Sequence, residues 1–173
     1  RSIDWDSLPN EFVIKANNGC ATVLVVENKL EYNGDEVKKT MSRWLDIPYG
    51  YRGYQPHYLS IKPCILAEEL LKQDPWLNDL SSSIVDFKIW SFNGKPECIF
   101  ITYDPKPECL DLMLDLAAKL SKGFPQMRVD FYIVGGKPVI GELTMAAGYG
   151  NLTEEFYNHL GDLTDLSLMK KIK

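Results

Sequence analysis

The residues best placed to do chemistry lie in one short stretch, Arg128 to Thr144, which reads RVDFYIVGGKPVIGELT. Apolar and polar residues alternate on both sides of Gly135 and Gly136, which predicts two antiparallel strands joined by a tight turn. The loop length decides which side chains meet. A two-residue loop pairs Asp130 with Gly141 and turns Glu142 to the opposite face of the ribbon. A loop of odd length, made of Gly135, Gly136 and Lys137 with a glycine at positive φ, pairs Asp130 with Glu142 and Arg128 with Thr144. The hydrophobic pattern favours the odd loop. One face then carries Val129, Phe131, Ile133, Val139, Gly141 and Leu143, and the other carries Arg128, Asp130, Glu142 and Thr144.

Two carboxylates side by side on adjacent strands repel each other unless something positive lies between them. A lysine, an arginine or a divalent cation would serve. Hard oxygen ligands suit Mg²⁺, which takes one or two protein carboxylates and fills its other positions with water and phosphate oxygens. The plainer alternative is a surface hairpin whose acids face water, with Arg128 as their local partner.

Further candidates lie upstream. Lys15 sits in the strand-like run EFVIKA (11–16), next to the loop Asn17, Asn18, Gly19, Cys20 that leads to ATVLVV (21–26). A lysine there can reach phosphate oxygens, and an asparagine- and glycine-containing loop such as Asn17 to Gly19 can offer them backbone N–H groups. An edge-strand lysine that discourages aggregation explains the same residue. The run CILAEELL (64–71) reads as a strand ending in Glu68, Glu69, Leu70 and Leu71, against whose edge a purine could lie; a strand leading into a short helix reads equally well. Asp86 and Lys88 share a face, two residues apart, either as an ion pair or with the lysine pointing into an anion site.

The elements that must position these residues follow from periodicity. Asn33 caps a helix from Asp35 to about Ile47, and Pro48 to Pro63, rich in Tyr, Gly and Pro, reads as a long ordered loop. Residues 84–92 and 96–103 form a hairpin through Asn93-Gly94. Pro107 to Lys122 is an amphipathic helix closed by Gly123, and a short helix covers about Glu154 to Leu160. Met145 to Asn151 is a glycine-rich connection, and a basic tail follows from Lys170.

Composition bounds the rest. The 173 residues, 45% hydrophobic and 12% aromatic, suffice for one buried core in two lobes. A net charge of −5 argues against nucleic-acid binding, and no apolar run is long enough to span a membrane. Cys20, Cys64, Cys98 and Cys109 form no CxxC pair, and with two histidines zinc is not expected. Cys64 and Cys98 are expected as reduced, buried thiols in a cytoplasmic protein. The start at Arg1 suggests a trimmed or partial chain.

The segments LPNEFVIKANNG, IKPCILAEELL, DFKIWSFNGKPE, LAAKLSKGFPQMRVDFYIVGGKPVIGELT and NHLGDL, in that order, span nearly the whole chain. Together they resemble the ATP-grasp superfamily, and in wording its TupA-like branch, associated with teichuronopeptide, capsule and other surface-polysaccharide biosynthesis. The resemblance implies an α+β, ATP-grasp-like fold with two small lobes of antiparallel sheet and packed helices around a nucleotide cleft. The lobes would be residues 1–67 and 68–173, and the family's upstream domain is absent from this chain. It also implies ATP and Mg²⁺ as ligands. Lys15, Asn17 and Gly19 would hold phosphates, Glu68, Glu69, Leu70 and Leu71 would receive adenine, and Lys88 would contact phosphate or substrate. Asp130, Glu142 and Thr144 would hold the metal, with Arg128 beside the transferred phosphate. The activity implied is a carboxylate–amine ligation through an acyl phosphate, on a carboxylate-bearing sugar or amino-acid acceptor. The altered loop at Asn18, Cys20, Ala21 and Thr22 and the missing upstream part point to an alternative, a degenerate ATP-grasp domain serving as a nucleotide-binding or assembly module.

Overall fold

The structure, a computed structural model, describes residues 3–52, 55–100, 106–145 and 152–168. The chain divides into two compact units, Arg1–Leu71 and Lys72–Lys173. The expected strand end at 101–103, the glycine-rich 146–151 and the basic tail from Lys170 fall outside the described residues.

In the first unit, β1 (Phe12–Ala16) runs antiparallel between β2 (Val23–Val26) and β3 (Ile65–Glu68). Alternation buries Phe12, Ile14 and Ala16 and leaves Val13 and Lys15 partly open on the other face. Lys15 therefore stands on the central strand, not on an edge. α1 (Gly34–Leu45) starts at Asn33, whose side chain accepts the backbone N–H groups of Asp35 and Glu36. Val37 and Met41, one turn apart, pack with Trp5, Phe12, Ile14 and Val26 into this unit's core. The expected strand at 64–71 is shorter. Cys64 precedes β3 and is exposed rather than buried, and Glu69 to Leu71 leave the sheet. Because β3 pairs with β1, Glu68 to Leu71 belong to the first unit, and the division falls after Leu71 rather than after residue 67. The expected loop at 48–63 holds two short helical pieces, α2 (Tyr49–Arg52) and a 3₁₀ turn at Pro56–Ser60.

In the second unit, α3 (Pro75–Asn78) precedes a four-stranded antiparallel sheet ordered β5-β4-β6-β7. Its strands are β4 (Phe87–Phe92), β5 (Lys95–Phe100), β6 (Met127–Val134) and β7 (Lys137–Thr144). One face packs Phe87, Ile89, Val129, Phe131 and Ile133 against Leu110, Met113 and Ala117 of α4 (Leu110–Leu120). On the opposite face Trp90 and Phe92 meet Leu160 and Phe156 of α5 (Glu154–Leu163). The middle strands are thus covered on both sides, and only one end of that second face is left for polar residues.

The register of β6 and β7 is the expected one, but its cause is different. Val134 pairs with Lys137, so the loop is Gly135-Gly136 alone, with φ of 59° and 72°, the two-residue turn that glycines favour. Asp74 fixes that turn by accepting the N–H groups of Gly135 at 2.6 Å and Gly136 at 2.9 Å. The pairing runs Phe131–Ile140 and then Asp130–Glu142, so Gly141 is an extra residue, a bulge that shifts the register by one. Ile140 and Pro138, not Val139, stand opposite Phe131 and Ile133 on the core-facing rows.

Glycine is required at the bulge because the Tyr132 ring lies over it. A Cβ there would come within 2.7 Å of Tyr132 Cε2, whereas a Cβ on Gly161 in α5 would meet nothing within 4 Å. In urea denaturation Gly141→Val is expected to cost about 1–3 kcal/mol, while Gly161→Ala gains up to about 1 kcal/mol. Equal effects at the two positions would contradict this account of the bulge.

Candidate functional site

Three neighbouring strands place the site residues in two rows. Lys88, Asp130 and Glu142 lie opposite one another across β4, β6 and β7, and Trp90, Arg128 and Thr144 form the next row. Asp130 is the centre, with its side chain 3% exposed. A carboxylate taken from water to that depth is unfavourable by several kcal/mol unless it is paired and hydrogen-bonded. Arg128 supplies a two-pronged bond, Nε to Oδ1 at 2.7 Å and Nη2 to Oδ2 at 2.8 Å, and Lys88 Nζ donates to Oδ2 at 3.1 Å.

Around this centre the contacts form a chain. Lys88 Nζ also donates to Asp86 Oδ2 at 2.7 Å. Arg128 Nη2 donates to Thr144 Oγ1 at 3.2 Å, and Thr144 Oγ1 donates to Glu142 Oε1 at 2.6 Å. The Arg128 guanidinium lies 5.5 Å from the centre of the Trp90 ring, which Phe156 meets edge-on from α5. Burial alone would lower the Arg128 pKa, but its bond to Asp130 and the charges of Asp130, Glu142 and Asp86 outweigh that and hold it above its ordinary value. Arg128 is therefore a permanent cation.

Charge counting gives the arrangement a sign. Asp86, Asp130 and Glu142 set three negative charges against the two positive charges of Lys88 and Arg128, which leaves one negative charge in excess. Glu142, whose side chain is 55% exposed, carries the most open part of it. Among the described residues Asp130 Oδ1 accepts one hydrogen bond, from Arg128 Nε. That oxygen, a Glu142 oxygen and the Thr144 hydroxyl are the hard-oxygen groups here that could hold Mg²⁺, a cation that completes its shell with phosphate and water. No group of three or more His, Cys, Asp or Glu suited to a metal occurs among the described residues.

The other candidates gather in the first unit. Lys15 Nζ lies 2.6 Å from Glu68 Oε2 on the partly open face of the sheet. Asn17, next along the chain, uses its side chain to receive Cys64 N–H at 2.8 Å and to donate to Lys62 O at 3.2 Å. The buried Asn18 donates to the carbonyls of Trp44 and Ile47, closing the end of α1. Gly19 packs so closely on Tyr49 that a Cβ would fall 2.8 Å from its ring. The loop is therefore pinned by its own asparagines. Glu69 is exposed, and Leu70 and Leu71 are half-buried beyond the strand end.

The sequence matches the family described as TupA-like ATPgrasp over residues 1–105 and 102–165, together nearly the whole chain. The chain belongs to the TupA-like ATP-grasp family. No curated protein matches it in sequence. Among solved structures it is similar to D-alanine–D-alanine ligase from Bacillus anthracis complexed with ATP, with a TM-score of 0.55 and 15% identity over 95% of this chain and 53% of that one. A second structure of the same ligase gives a TM-score of 0.56 at 15% identity, over 95% and 57% of the two chains. The α+β fold is thus that of ATP-grasp ligases, and the chain spans a little over half the length of those ligase chains. Among the described residues no helix is long and apolar enough to cross a membrane.

Sequence reasoning gave Trp90, Gly141 and Asp74 no part in the site. The alternation 86, 88, 90 places Trp90 on the Lys88 face and could have found it. Asp74 meets the glycine turn from 61 positions away, and nothing local marks it.

Removing Arg128 strands the buried Asp130 carboxylate. Arg128→Met is expected to lower unfolding free energy by about 3 kcal/mol or more, whereas Glu142→Gln, at an open position, shifts it by less than about 1 kcal/mol. Chemical denaturation of the two variants checks this, and a larger loss at Glu142 would contradict the burial argument.

Thiol reactivity offers a second check. Burial raises the pKa of Cys98 and of Cys109, with Glu97 adding to the first and Asp74 and Glu108 to the second, while Cys20 and Cys64 are exposed. Raised pKa values mean less thiolate near neutrality. Iodoacetamide at pH 7 should label Cys20 and Cys64 first, and labelling of Cys98 and Cys109 should still be accelerating above about pH 8.5, the ordinary thiol value.

Proposed function

We propose that this chain forms the nucleotide-binding portion of an ATP- and Mg²⁺-dependent ligase, acting in the cytoplasm on a carboxylate-bearing sugar or amino-acid acceptor in surface-polysaccharide synthesis of the teichuronopeptide or capsule kind. The observation that carries it is the pairing of Asp130 with Glu142 across β6 and β7, with Arg128 and Lys88 converging on the same buried carboxylate. Family membership supplies the nucleotide, and the excess negative charge of the cluster supplies the reason for a cation.

In this reading Asp130, Glu142 and Thr144 hold Mg²⁺, which when bound offsets the charge on the phosphate oxygens. Lys88 keeps a third N–H beyond its bonds to Asp86 and Asp130, and Arg128 keeps both Nη1 protons, so each can still donate to phosphate. Lys15 and the backbone of Asn17 and Gly19 meet other phosphate oxygens, and Glu68 to Leu71 meet the base. An acceptor carboxylate oxygen attacks the terminal phosphorus and the bond to ADP breaks. An amine nitrogen then attacks the acyl carbon, releasing phosphate and a proton. Such transfers ask the protein for position and positive charge rather than for a nucleophile of its own. A strand-mounted cluster of paired charges supplies both.

One observation favours a second reading, a nucleotide-binding or assembly module with little turnover. Asn17 and Asn18 are committed to the Lys62–Cys64 segment and to the end of α1, which ties down the loop that would close on phosphate. ATP turnover that disappears in Asp130→Asn would rule this reading out.

Calorimetric titration of the chain with AMP-PNP and Mg²⁺ should give a binding isotherm that Asp130→Asn weakens by about tenfold or more, the usual loss when a metal ligand or its support is removed. No heat from the wild type would overturn the ligase reading.

A further inference from the structure

Asp86, immediately before β4, belongs to neither row of the site, yet its carboxylate is unusual. Oδ2 accepts Lys88 Nζ at 2.7 Å, while Oδ1 is shielded from solvent and has no hydrogen-bond partner among the described residues. A shielded carboxylate oxygen without a donor destabilises a fold. The ion pair with Lys88 therefore accounts for one oxygen of this acid and not for the other.

The β4–β6 register sets Lys88 directly opposite Asp130, where an ammonium and a buried carboxylate would close to full charge-assisted contact if nothing competed. Instead Lys88 sits 2.7 Å from Asp86 and 3.1 Å from Asp130. Asp86 makes the shorter of the two contacts, and it is near enough to Arg128 to add to the upward push on that group.

We infer that Asp86 is a positioning residue: it holds the Lys88 ammonium back from Asp130, so that Asp130 keeps enough negative charge to share a divalent cation with Glu142. This rests on the reading of Asp130 and Glu142 as cation ligands. Without Asp86, Lys88 settles on Asp130 and competes with the metal for the same carboxylate. A purely structural ion pair would behave differently, since its loss would lower thermal stability and leave cation binding alone.

The test is Mn²⁺ binding in the presence of AMP-PNP, followed by the electron paramagnetic resonance signal of the free ion, in the wild type, Asp86→Asn, Lys88→Met and the double variant. Asp86→Asn should weaken Mn²⁺ binding by about tenfold, the scale of outer support to a metal ligand, without lowering Tm. In the Lys88→Met background the same substitution should change it by less than about threefold, the residue of a screened direct charge effect. Equal losses in both backgrounds would show that Asp86 acts as a bare charge and would overturn the inference. Unchanged Mn²⁺ affinity in Asp86→Asn would do the same, as would a fall in Tm unaccompanied by weaker binding. Asp130→Asn separates the two levels of the argument. If it keeps wild-type Mn²⁺ affinity, the cation reading itself fails and the inference with it; if it abolishes binding while Asp86→Asn does not, only the role of Asp86 falls.

Discussion

A single buried carboxylate sets the terms for the second unit. Asp130 lies at the middle of a four-stranded sheet with one face sealed by α4 and much of the other by Trp90, Phe92 and α5. An acid in that position is tolerable only with cations on fixed elements around it. Arg128 meets this need from the same strand and Lys88 from the neighbouring one, and the Trp90 ring gives the guanidinium a flat apolar support. Asp130 and Arg128 are thus held by burial and by their two-pronged bond, while Lys88 and Glu142 stand progressively more open around them.

The bulge at Gly141 decides what this cluster can do. Without the extra residue Glu142 would point to the other side of the sheet, and Asp130 would be an acid neutralised by two cations with nothing further to offer. With it, a second carboxylate and a hydroxyl come into the same row and the next, and the balance of charge turns negative. The cost falls on packing, since Tyr132 must cover a residue without a side chain. Here a single inserted residue converts a buried ion pair into a cluster with a second carboxylate.

That conversion was legible in the sequence only by parity. Alternation along RVDFYIV and GELT required an odd residue somewhere between Asp130 and Glu142, and this was enough to pair the two acids correctly. Alternation does not say where the odd residue sits. The turn was a reasonable place for it, but Asp74 holds Gly135 and Gly136 as a two-residue loop from a distant part of the chain. The N-cap at Asn33 was a local signal and read well. The exposure of Cys64, the central place of Lys15 and the early end of β3 were not readable, because each depends on which strand pairs with which.

The two asparagines beside Lys15 show the same limit from the functional side. A loop containing Asn17, Asn18 and Gly19 suggests backbone groups waiting for an anion, and the same residue types are also the usual means of tying a loop to its surroundings. The structure uses them in the second way, with Asn17 prolonging the β1–β3 pairing and Asn18 closing α1. Such ties do not prevent backbone N–H groups from meeting phosphate, but they remove the freedom of the loop to fold over it. The first unit thus holds its loop firmly and its lysine loosely: Lys15 pairs with Glu68 at a partly exposed site, where an ion pair is worth at most about 1 kcal/mol. In the second unit the order is reversed, because Asp130 is buried and removing either of its cationic partners leaves a charge that water cannot reach.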